Sequence, residues 1–392
     1  MKFQDRRLKS GWEEHSYENT HHNVVYVGYL FTPESPSERL PVKVSTVAVS
    51  SSELDAMRRA LTIAEKGALN GGNPRVGCVL LDSEGTVLAE GFHLGAGHPH
   101  AEVEALSALT SRGLSAEGAT AVVTLEPCNH HGKTGPCTQA LIDAGVSRVV
   151  FGASDPGEDS SGGEAVLRSA GIDVVGGVLD EDSLELNEHW FFATEHGRPF
   201  VAAKWAQSLD GRHAAADSTS QWITGDASRA RVHEQRSQFG AIAVGTSTAL
   251  IDNPSLTARE GEGLYDSQPL AVVIGEREIP DDARVRSHPG GFTQIRSHSP
   301  AEVLSELFDQ GVRSVYLEGG ATLVSSFIAQ DLVDEFHITM GPLLLGGPKV
   351  AVSDIGVESM ANAKQLTITN VEQLGGDVWV TAVPTRQRKD GV

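Results

Sequence analysis

Three side chains in this sequence have the chemistry of zinc ligands: His100, Cys128 and Cys137. Imidazole nitrogens and thiolates are preferred zinc ligands, and a site with three protein ligands keeps its fourth position for water or substrate. Structural zinc sites usually close with four protein ligands, so an open set of three favours catalysis. We therefore predict that these three residues bind a catalytic zinc ion.

Glu102 lies two positions after the histidine and can supply the proton chemistry. Zinc lowers the pKa of a bound water from about 15.7 to about 7, and a carboxylate beside that water can carry a proton to a departing amine. The sequence also places Pro127 and Pro136 directly before the two cysteines. A histidine, a glutamate two residues later and cysteines after proline are typical of zinc-dependent base deaminases. The pattern therefore predicts Glu102 as the catalytic residue of a deaminase.

The secondary structure predicted around these residues brings helix ends to the metal site. One helix is predicted to begin at His100 and to run to Leu109, and another runs from Cys137 to Ala144. A helix N-terminus carries a partial positive charge and lowers the pKa of a nearby thiol, which favours the thiolate that zinc binds. Strands alternate with helices through both halves of the chain, which indicates an α/β fold.

Residue blocks around the metal site carry a more specific resemblance. Eight residues separate the two cysteines, and the blocks 73–78 (NPRVGC) and 91–93 (GFH) accompany them. Together these blocks resemble the deaminase domain of the bifunctional riboflavin-biosynthesis deaminase–reductase family. The resemblance implies a cytidine-deaminase-like, three-layer domain that holds an aminopyrimidine ring over zinc. The substrate contacts that it implies are Asn73, His93, His130 and Lys133.

The second half of the chain has no glycine-rich dinucleotide fingerprint, but several blocks resemble the reductase domain of the same family. Among them are 204–211 (KWAQSLDG), 220–225 (SQWITG), 252–259 (DNPSLTAR) and 317–323 (LEGGATL). The resemblance implies a dihydrofolate-reductase-like α/β domain that binds NADPH and a phosphorylated sugar. The NADPH contacts that it implies are Ala206, Trp222, Thr248, Asp252, Gly320, Ala321, Thr322, Leu323, Val324, Ser325 and Ser326. The implied substrate contacts are Ser220, Arg236, Leu256, Arg259 and Glu318.

The chain is predicted to divide into three segments. The first 52 residues have no clear periodicity, which indicates a mobile extension or, at 24–27, one short strand. Regular structure is predicted to start with a helix whose capping residues are Ser52 and Asp55. A polar break near residue 197 ends the first globular domain. The predicted segments are an extension at 1–52, a deaminase domain at 53–196 and a reductase domain at 197–392.

The composition narrows the classes of partner and compartment. With 52 acidic and 31 basic residues, the chain has a net charge of -21. Such a charge argues against binding nucleic acid or an anionic membrane, although local arginines such as Arg236 and Arg259 can still hold a small phosphate. Three cysteines do not make a disulfide framework. We expect a soluble, cytoplasmic enzyme, and the family resemblance implies a homo-oligomer.

These observations favour one function and leave two alternatives. The favoured function is a zinc-dependent hydrolytic deamination of a diamino-(phosphoribosylamino)pyrimidinone, followed by an NADPH-dependent reduction of its ribosyl chain to ribityl. The first alternative is a deaminase of nucleosides or of nucleic-acid bases with an accessory nucleotide-binding domain, which the negative charge disfavours. The second is a structural zinc module joined to a nucleotide-binding regulatory domain, which would have no use for Glu102.

Overall fold

A computed structural model of the chain shows two compact units, each with its own sheets. The first comprises Met1–Gly67 and Arg75–Asn187, and the second comprises Ala68–Pro74 and Glu188–Val392. The predicted boundaries near residues 52 and 197 divide the chain into domains that fold separately, and they stay predictions. The structure describes residues 5–7, 13–18, 23–28, 48–69, 72–130, 135–157 and 160–385.

The first strands of the chain form a small antiparallel sheet. Its order is β1 (Asp5–Arg7), β2 (Glu13–Glu18), β3 (Asn23–Gly28) and β4 (Ala48–Ser50). The strand that the sequence predicts at 24–27 lies within β3, where Val24 pairs with Val49. Apart from β1, β2 and β3, the predicted mobile extension before residue 48 lies outside the described residues, so its mobility stays a prediction.

The remainder of the first unit alternates helices and strands, as the sequence predicts. Its elements are α1 (Ser51–Ala64), β5 (Gly77–Leu81), β6 (Val87–Phe92), α2 (Ala101–Ser111), β7 (Thr120–Leu125), α3 (Cys137–Asp143), β8 (Arg148–Ala153), α4 (Gly163–Ser169), β9 (Asp173–Val175) and α5 (Asp180–Leu186).

The cap of α1 differs from the predicted one. Ser50, not Ser52, is the N-cap: its side chain accepts a hydrogen bond from the Glu53 N–H, and the Glu53 carboxylate accepts one from the Ser50 N–H. The prediction of Ser52 with Asp55 is therefore wrong by two positions. Both serines fit the capping pattern, and the glutamate that closes the reciprocal bond decides between them.

The five-stranded sheet of the first unit has the order β6-β5-β7-β8-β9 and is covered on both faces. Strands β7, β8 and β9 are parallel, and β5 is antiparallel to β6 and β7. Val79 and Leu81 point to the face that buries Met57 of α1. Gly91 and its cross-strand partner Cys78 point to the other face, which packs on α2. Helix, sheet and helix thus form three layers, as the fold prediction requires.

The second unit is built around a larger sheet. Its helices are α6 (Glu188–His196), α7 (Asp226–Ser237), α8 (Thr246–Asp252), α9 (Pro300–Asp309) and α10 (Ala321–Ala329), with short 3-10 helices at Arg284–Ser287 and Met360–Asn362. Its strands are β10 (Phe200–Ser208), β11 (Ala241–Gly245), β12 (Arg259–Glu260), β13 (Gly263–Leu264), β14 (Leu270–Ile274), β15 (Phe292–Ile295), β16 (Ser314–Leu317), β17 (Glu335–Gly341), β18 (Leu366–Leu374) and β19 (Asp377–Pro384).

Six strands of that sheet pair in parallel, and β19 and β18 extend it by antiparallel pairing, in the order β15-β14-β11-β16-β10-β17-β19-β18. The central strands have no polar face, because helices cover both sides: β11 and β14 are buried along almost their whole length. Parallel strands end at the same edge of a sheet, and ligands of such sheets bind beyond that edge. The residues that follow β11, β14, β15 and β16 are therefore placed together.

No helix among the described residues is both long and apolar enough to span a membrane.

Candidate active sites

The first site is a cluster of His100, Cys128 and Cys137. The His100 Nδ1 atom lies 3.4 Å from the Cys128 Sγ atom and 3.3 Å from the Cys137 Sγ atom. The three potential ligand atoms all lie within 4.8 Å of one another. The fold thus brings together residues that are far apart in the chain, as the sequence predicts.

The spacing of these atoms fits a zinc ion. Zn–S bonds of about 2.3 Å and Zn–N bonds of about 2.0 to 2.1 Å at tetrahedral angles separate nitrogen and sulfur by about 3.6 Å. The observed separations of 3.3 and 3.4 Å are close to this value. The donor set fits as well, because one imidazole and two thiols leave a fourth position open.

Hydrogen bonds within the cluster already favour one thiolate. A hydrogen bond from the Cys137 thiol, opposed by burial and assisted by a bond from His100, lowers the pKa of the Cys128 thiol to about 4. The same thiolate raises the pKa of His100 through its hydrogen bond. The backbone N–H of Cys137 also points at the Cys128 sulfur, at 3.5 Å. The Cys128 thiol is therefore deprotonated at neutral pH, which is the form that zinc binds.

Helix and strand ends position the three side chains. His100 is the N-cap of α2, Cys137 is the first residue of α3, and Cys128 follows β7. Gly91 allows α2 to approach the sheet, since a Cβ there would lie 2.3 Å from the Ala105 backbone nitrogen. The candidate metal ligand His100 thus lies at the start of a helix that packs closely on the sheet.

Glu102 is the buried carboxyl group of this site. It lies in the first turn of α2, and only 3% of its surface is exposed. Burial raises the pKa of its carboxyl, and the nearby negative charge of Cys128 raises it further. A carboxyl group that takes up a proton readily beside a metal cluster can act as an acid and as a base.

The other predicted residues of the deaminase site have different placements. His93 is buried, its ring centroid lies 5.1 Å from that of His100, and its Nδ1 atom lies 2.8 Å from the Pro99 carbonyl oxygen. The His130 Nδ1 atom is buried and has no hydrogen-bond partner among the described residues. Asn73 belongs to the segment that groups with the second unit. Lys133 lies outside the described residues.

The second site is a cavity of about 770 Å³ at the carboxyl edge of the large sheet. Of the predicted NADPH contacts, Thr248 and much of the turn that opens α10 line it. Trp222 is largely exposed, and the Arg229 guanidinium lies 4.2 Å above its ring. The predicted contacts in the cavity lining are Thr248, Gly320, Ala321, Thr322, Leu323 and Ser326, whereas Ala206, Trp222, Asp252, Val324 and Ser325 are not part of that lining.

Two of the predicted substrate contacts form a partly buried ion pair. The Arg236 guanidinium donates to both oxygens of Glu318, at 2.6 and 2.9 Å, and also to the Thr257 carbonyl oxygen. The Lys204 Nζ atom lies 3.8 Å from the same carboxylate. The sequence analysis predicts Arg236 and Glu318 as separate substrate contacts and not as a pair. It does not predict Lys204. The cluster therefore contains a carboxylate between two cations.

The remaining predicted substrate contacts lie near this cluster or are exposed. Leu256 is buried with a φ of 57°, an uncommon backbone conformation for this residue type. Arg259 donates to Thr257 Oγ1 at 2.7 Å and to Ser255 Oγ. Ser220 is exposed. Thr257 thus links Arg259 with Arg236.

Glu318 is expected to make the second unit sensitive to acid. Burial opposes its ionisation, but the charges of Arg236 and Lys204 outweigh burial and lower the pKa of the carboxyl to about 2. The pKa of the carboxyl in the unfolded chain is about 4.3, so the stabilisation is complete above that pH and is lost as the pH falls towards 2.

Urea unfolding of the wild type and of Glu318→Gln should show a difference in the free energy of unfolding that narrows below about pH 4. A difference that stayed constant down to pH 3.5 would contradict the assignment. Tryptophan fluorescence can follow the transition, because Trp190, Trp205, Trp222 and Trp379 all belong to the second unit.

Replacing Arg236 by Ala is expected to lower NADPH oxidation at least 100-fold and to leave ammonia release unchanged. The change leaves Glu318 buried without its bidentate partner, and breaking such a pair costs about 3 to 5 kcal/mol. Separate assays of the two activities test this, with the folded fraction checked by circular dichroism. Arg231→Ala is the matched control on the same helix, since Arg231 pairs with the more exposed Glu372. An equal loss of ammonia release would show that the two activities do not divide between the two units.

Some residues of the cavity were not predicted. They follow β10, β11, β14 or β15 or belong to the segment after β17, and Thr246 and Ser247 directly precede the predicted contact Thr248. A charged side chain at a strand end is the only signal that could have identified Glu276 and Arg277. The unpredicted polar and charged residues are His213, Thr246, Ser247, Glu276, Arg277, Ser297, His298, Lys349 and Ser353.

Comparisons with known proteins identify a domain in each half of the chain. Residues 50–153 match the family model for the cytidine and deoxycytidylate deaminase zinc-binding region, and residues 199–380 match the model for the RibD C-terminal domain. The predicted fold class and both predicted cofactors, zinc and NADPH, are confirmed by these domains. The deaminase of nucleosides and the structural zinc module are therefore not supported.

Similar proteins cover both domains. The riboflavin biosynthesis protein RibD of Mycobacterium tuberculosis strain H37Rv is 44% identical over 313 residues, which is 79% of this chain and 91% of the relative. RibD of Escherichia coli K12 is 36% identical over 358 residues, 82% of this chain and 96% of the relative.

Solved structures extend the likeness to the fold. The crystal structure of the Thermotoga maritima diaminohydroxyphosphoribosylaminopyrimidine deaminase/5-amino-6-(5-phosphoribosylamino)uracil reductase has a TM-score of 0.72 and 34% identity, and covers 85% of this chain and 99% of that one. Acinetobacter baumannii RibD has a TM-score of 0.75 with the same identity and coverage. The chain belongs to the RibD family of riboflavin-biosynthesis proteins, which join a zinc-binding deaminase domain to a reductase domain.

Proposed function

We propose that the first unit deaminates 2,5-diamino-6-(5-phosphoribosylamino)pyrimidin-4(3H)-one hydrolytically. The second unit then reduces the ribosyl chain of the product, 5-amino-6-(5-phosphoribosylamino)uracil, to ribityl. The observation that carries the proposal is a buried carboxyl group, Glu102, beside a cluster of one imidazole and two thiols, which are donor types that zinc prefers. A phosphorylated pyrimidine is the substrate that relatives of this chain act on by name.

In the deaminase site, His100, Cys128 and Cys137 would hold the metal. Zinc supplies the acidification of water that makes hydrolysis feasible at neutral pH. Glu102 accepts a proton from the attacking water and transfers it to the departing amino group. The water oxygen forms the new bond to the ring carbon, the carbon–nitrogen bond breaks, and ammonia leaves.

Four further side chains would bind the pyrimidine and its phosphate. The His93 Nδ1 atom lies 2.8 Å from the Pro99 carbonyl oxygen, and this contact helps to fix the ring beside the cluster. The buried His130 Nδ1 atom lacks a partner among the described residues, so a ligand would satisfy it. Asn73 would contact the ring edge, and Lys133 would contact the phosphate. The last two assignments rest on the family resemblance.

In the reductase site, the dinucleotide would lie in the cavity at the carboxyl edge of the sheet. NADPH supplies the hydride that reduces C1 of the sugar. Backbone N–H groups at the start of α10, from Gly320 onward, would bind its diphosphate, and Thr248 lies in the same lining. Arg236 and Lys204 hold Glu318 in its charged form, so this carboxylate can accept hydrogen bonds from the sugar hydroxyls. The remaining contacts stay as the resemblance implies.

A coupled assay tests both halves in order. Zinc-loaded protein is mixed with the diamino-pyrimidinone ribosyl phosphate, ammonia is measured first, and NADPH is then added. Ammonia release followed by NADPH oxidation supports the proposal. Ammonia without NADPH oxidation would overturn the assignment of the second unit. No ammonia from a zinc-loaded sample would point to a different deaminase substrate.

We propose further that the protein is a cytoplasmic homo-oligomer that binds no nucleic acid. Three free cysteines suit a reducing compartment. The edge strand β18 exposes Ile368 and Val371, and a second copy of the chain could cover them. Analytical ultracentrifugation tests this, and a monomer at micromolar concentration would overturn it.

A further inference from the structure

Asp377 is a buried carboxylate of the second unit that none of the steps above uses. It is the first residue of β19, it follows the turn at Gly375 and Gly376, and only 3% of its surface is exposed. Its Oδ2 atom accepts hydrogen bonds from the Gly225 N–H at 2.7 Å and from the Ser228 hydroxyl at 2.5 Å. The carboxylate of this hairpin is therefore bonded to a different element, the start of α7.

The N-cap residue of α7 is a glycine, Gly225, which cannot cap the helix with a side chain. In a capping box, a carboxylate at the third helical position accepts a hydrogen bond from the N–H of the N-cap residue. The third position of α7 is Ser228, whose hydroxyl donates to Asp377, and Asp377 accepts from the N-cap N–H in its place. A carboxylate from the neighbouring hairpin thus performs the role of a capping glutamate.

The hairpin that carries Asp377 packs on α7. Side chains two residues apart point to the same face of a strand, so Asp377 and Trp379 share one face of β19. Trp379 is buried in the same apolar cluster as Val232 of α7. A Cβ on Gly375 would lie 3.7 Å from the Cβ atom of Ala227, in the first turn of α7. Asp377 is therefore held in place by the packing around it.

The segment that leads into α7 is attached to the rest of the unit at its base. The Ile223 carbonyl group packs closely on Gly341, since a Cβ at that glycine would lie 1.9 Å from the carbonyl oxygen. The Thr224 carbonyl oxygen accepts from Arg229 at 2.6 Å. The N–H of the next residue donates to Asp377. Three successive residues are thus fixed, and Asp377 fixes the one that joins the helix.

The tip of the same segment carries two side chains proposed to contact ligands. Ser220 is exposed, and 66% of the surface of Trp222 is exposed although the Arg229 guanidinium lies over its ring. Burial does not place these side chains, so their positions depend on the attached base. We infer that Asp377 is a positioning residue of the reductase, which fixes the base of this segment and thereby places Trp222 for NADPH. The inference rests on the proposed contact between Trp222 and NADPH.

Loss of this attachment should change binding and not the chemical step. If only a fraction of the molecules holds the segment in place, the apparent dissociation constant rises by the inverse of that fraction, whereas bound ligand restores the placed form. Removing a capping side chain commonly shifts such an equilibrium about 10-fold. Arg236, at the other end of α7, is held by Glu318 and Thr257. The groups proposed to bind the sugar therefore stay in place without Asp377.

Steady-state NADPH oxidation by the full-length, zinc-loaded protein tests this inference. Asp377→Ala is expected to raise the KM for NADPH about 10-fold and to keep kcat within about threefold of the wild type. Asp377→Asn keeps an oxygen that can accept both hydrogen bonds, so its KM should stay within about twofold. Ser228→Ala removes one of the two bonds, and its KM should lie between those of the wild type and Asp377→Ala. Ammonia release should be unchanged in all three variants.

Cleavage by chymotrypsin reports on the segment directly. The enzyme cuts after aromatic residues in chain that has left its packed position, so cleavage after Trp222 should be about 10-fold faster in Asp377→Ala than in the wild type. Mass spectrometry identifies the bond that is cut. Glu372→Ala is the matched control, because Glu372 lies on the same hairpin and pairs with Arg231 of α7 in a more exposed ion pair. This variant should keep the KM and the cleavage rate of the wild type.

The possible results separate this inference from the proposed function. An unchanged KM in Asp377→Ala, or a fall in kcat alone, overturns the inference, while NADPH oxidation by the wild type still supports the proposed function. Equal increases of KM in Asp377→Asn and Asp377→Ala also overturn it, because the acceptor oxygen would then have no role. If thermal unfolding shows that Asp377→Ala is not folded, Ser228→Ala decides, and an unchanged KM and cleavage rate there refute the inference. If the wild type oxidises no NADPH, the proposed function fails and the inference fails with it.

Discussion

Replacing Glu102 by Gln is expected to lower the rate of deamination by a factor of about 100 to 10,000 while the zinc content stays at one ion per chain. General acid–base catalysis by a positioned side chain contributes a factor of this size. The amide has nearly the same shape as the carboxyl group but cannot accept and release the proton. Single-turnover ammonia release and metal analysis of the same sample measure both quantities.

The folded stability of this variant provides an independent readout. Glu102 is almost wholly buried, and burial of an ionisable group costs stability. Gln carries no charge, so the unfolding temperature should stay the same or rise, as happens when a functional residue is removed from a strained site. A residue with a merely structural role would show the opposite result, a lower unfolding temperature.

Glu104→Gln is the matched control for this prediction. Glu104 lies in the same first turn of α2, two residues further on, and its side chain is exposed. The same chemical change there should leave ammonia release and zinc content within twofold of the wild type. Equal losses in the two variants would show that the negative charge of the helix start matters, and would refute a specific role for Glu102. Full activity in Glu102→Gln would refute it as well.

The cluster of three candidate zinc ligands could be predicted from the sequence because cysteine is rare in this chain and its spacing is specific. Only three cysteines occur in the chain, and two of them follow proline in the pattern of a zinc site. His100 and Cys137 are far apart in the chain, but the pattern can still be recognised. Each candidate ligand lies at the start of a predictable helix or after a predictable strand. The alternation of strands and helices in the second unit could be predicted for a related reason, and its strands include Ala241–Gly245, Leu270–Ile274 and Ser314–Leu317. They are short apolar runs between turns, as buried parallel strands are.

The parts that sequence reasoning missed lack such a pattern. Strand β18 is exposed along most of its length, so its residues show no buried face that alternation could reveal. Arg236 was identified as a cation for phosphate, but its partner Glu318 is 82 positions away and nothing in either local pattern connects them. Arg277 lies in a short polar segment after a strand, where arginine is usually a solvated surface residue. Its place in the cavity lining depends on which strands are neighbours, and that order is a property of the folded sheet.

Helix N-termini lie at the proposed sites of both units. In the first, α2 and α3 begin at His100 and Cys137, and in the second, α10 begins at the cavity. Free N–H groups and partial positive charge at such helix starts favour thiolates and phosphates. Each proposed site also includes a carboxyl group that is largely shielded from solvent, Glu102 in one unit and Glu318 in the other. The environments differ: Glu102 is close to an anion, which raises its pKa, whereas Glu318 is held between cations, which lower it.

Replacing Cys137 by Ser is expected to abolish zinc binding and deamination together and to destabilise the first unit. A hydroxyl group is a far poorer zinc ligand than a thiolate, and two remaining ligands do not make a site of useful affinity. Metal that binds only the folded state adds its binding free energy to stability, so its loss lowers the unfolding temperature. Metal analysis, ammonia release and calorimetric unfolding test the three consequences.

A chelator separates the loss of zinc from the loss of the cysteine itself. Treating the wild type with a chelator should lower its unfolding temperature to nearly that of Cys137→Ser, whereas the variant should not respond, because it has no metal to lose. Cys78→Ala is the matched control: Cys78 is a buried thiol of the same unit that does not belong to the cluster, so this variant should keep its zinc and its chelator response. If Cys137→Ser retained one zinc per chain, Cys137 would not be a ligand. If it lost zinc but the chelated wild type kept its full stability, the metal would serve catalysis alone, and the stability of the unit would come from its packed sheet rather than from the ion.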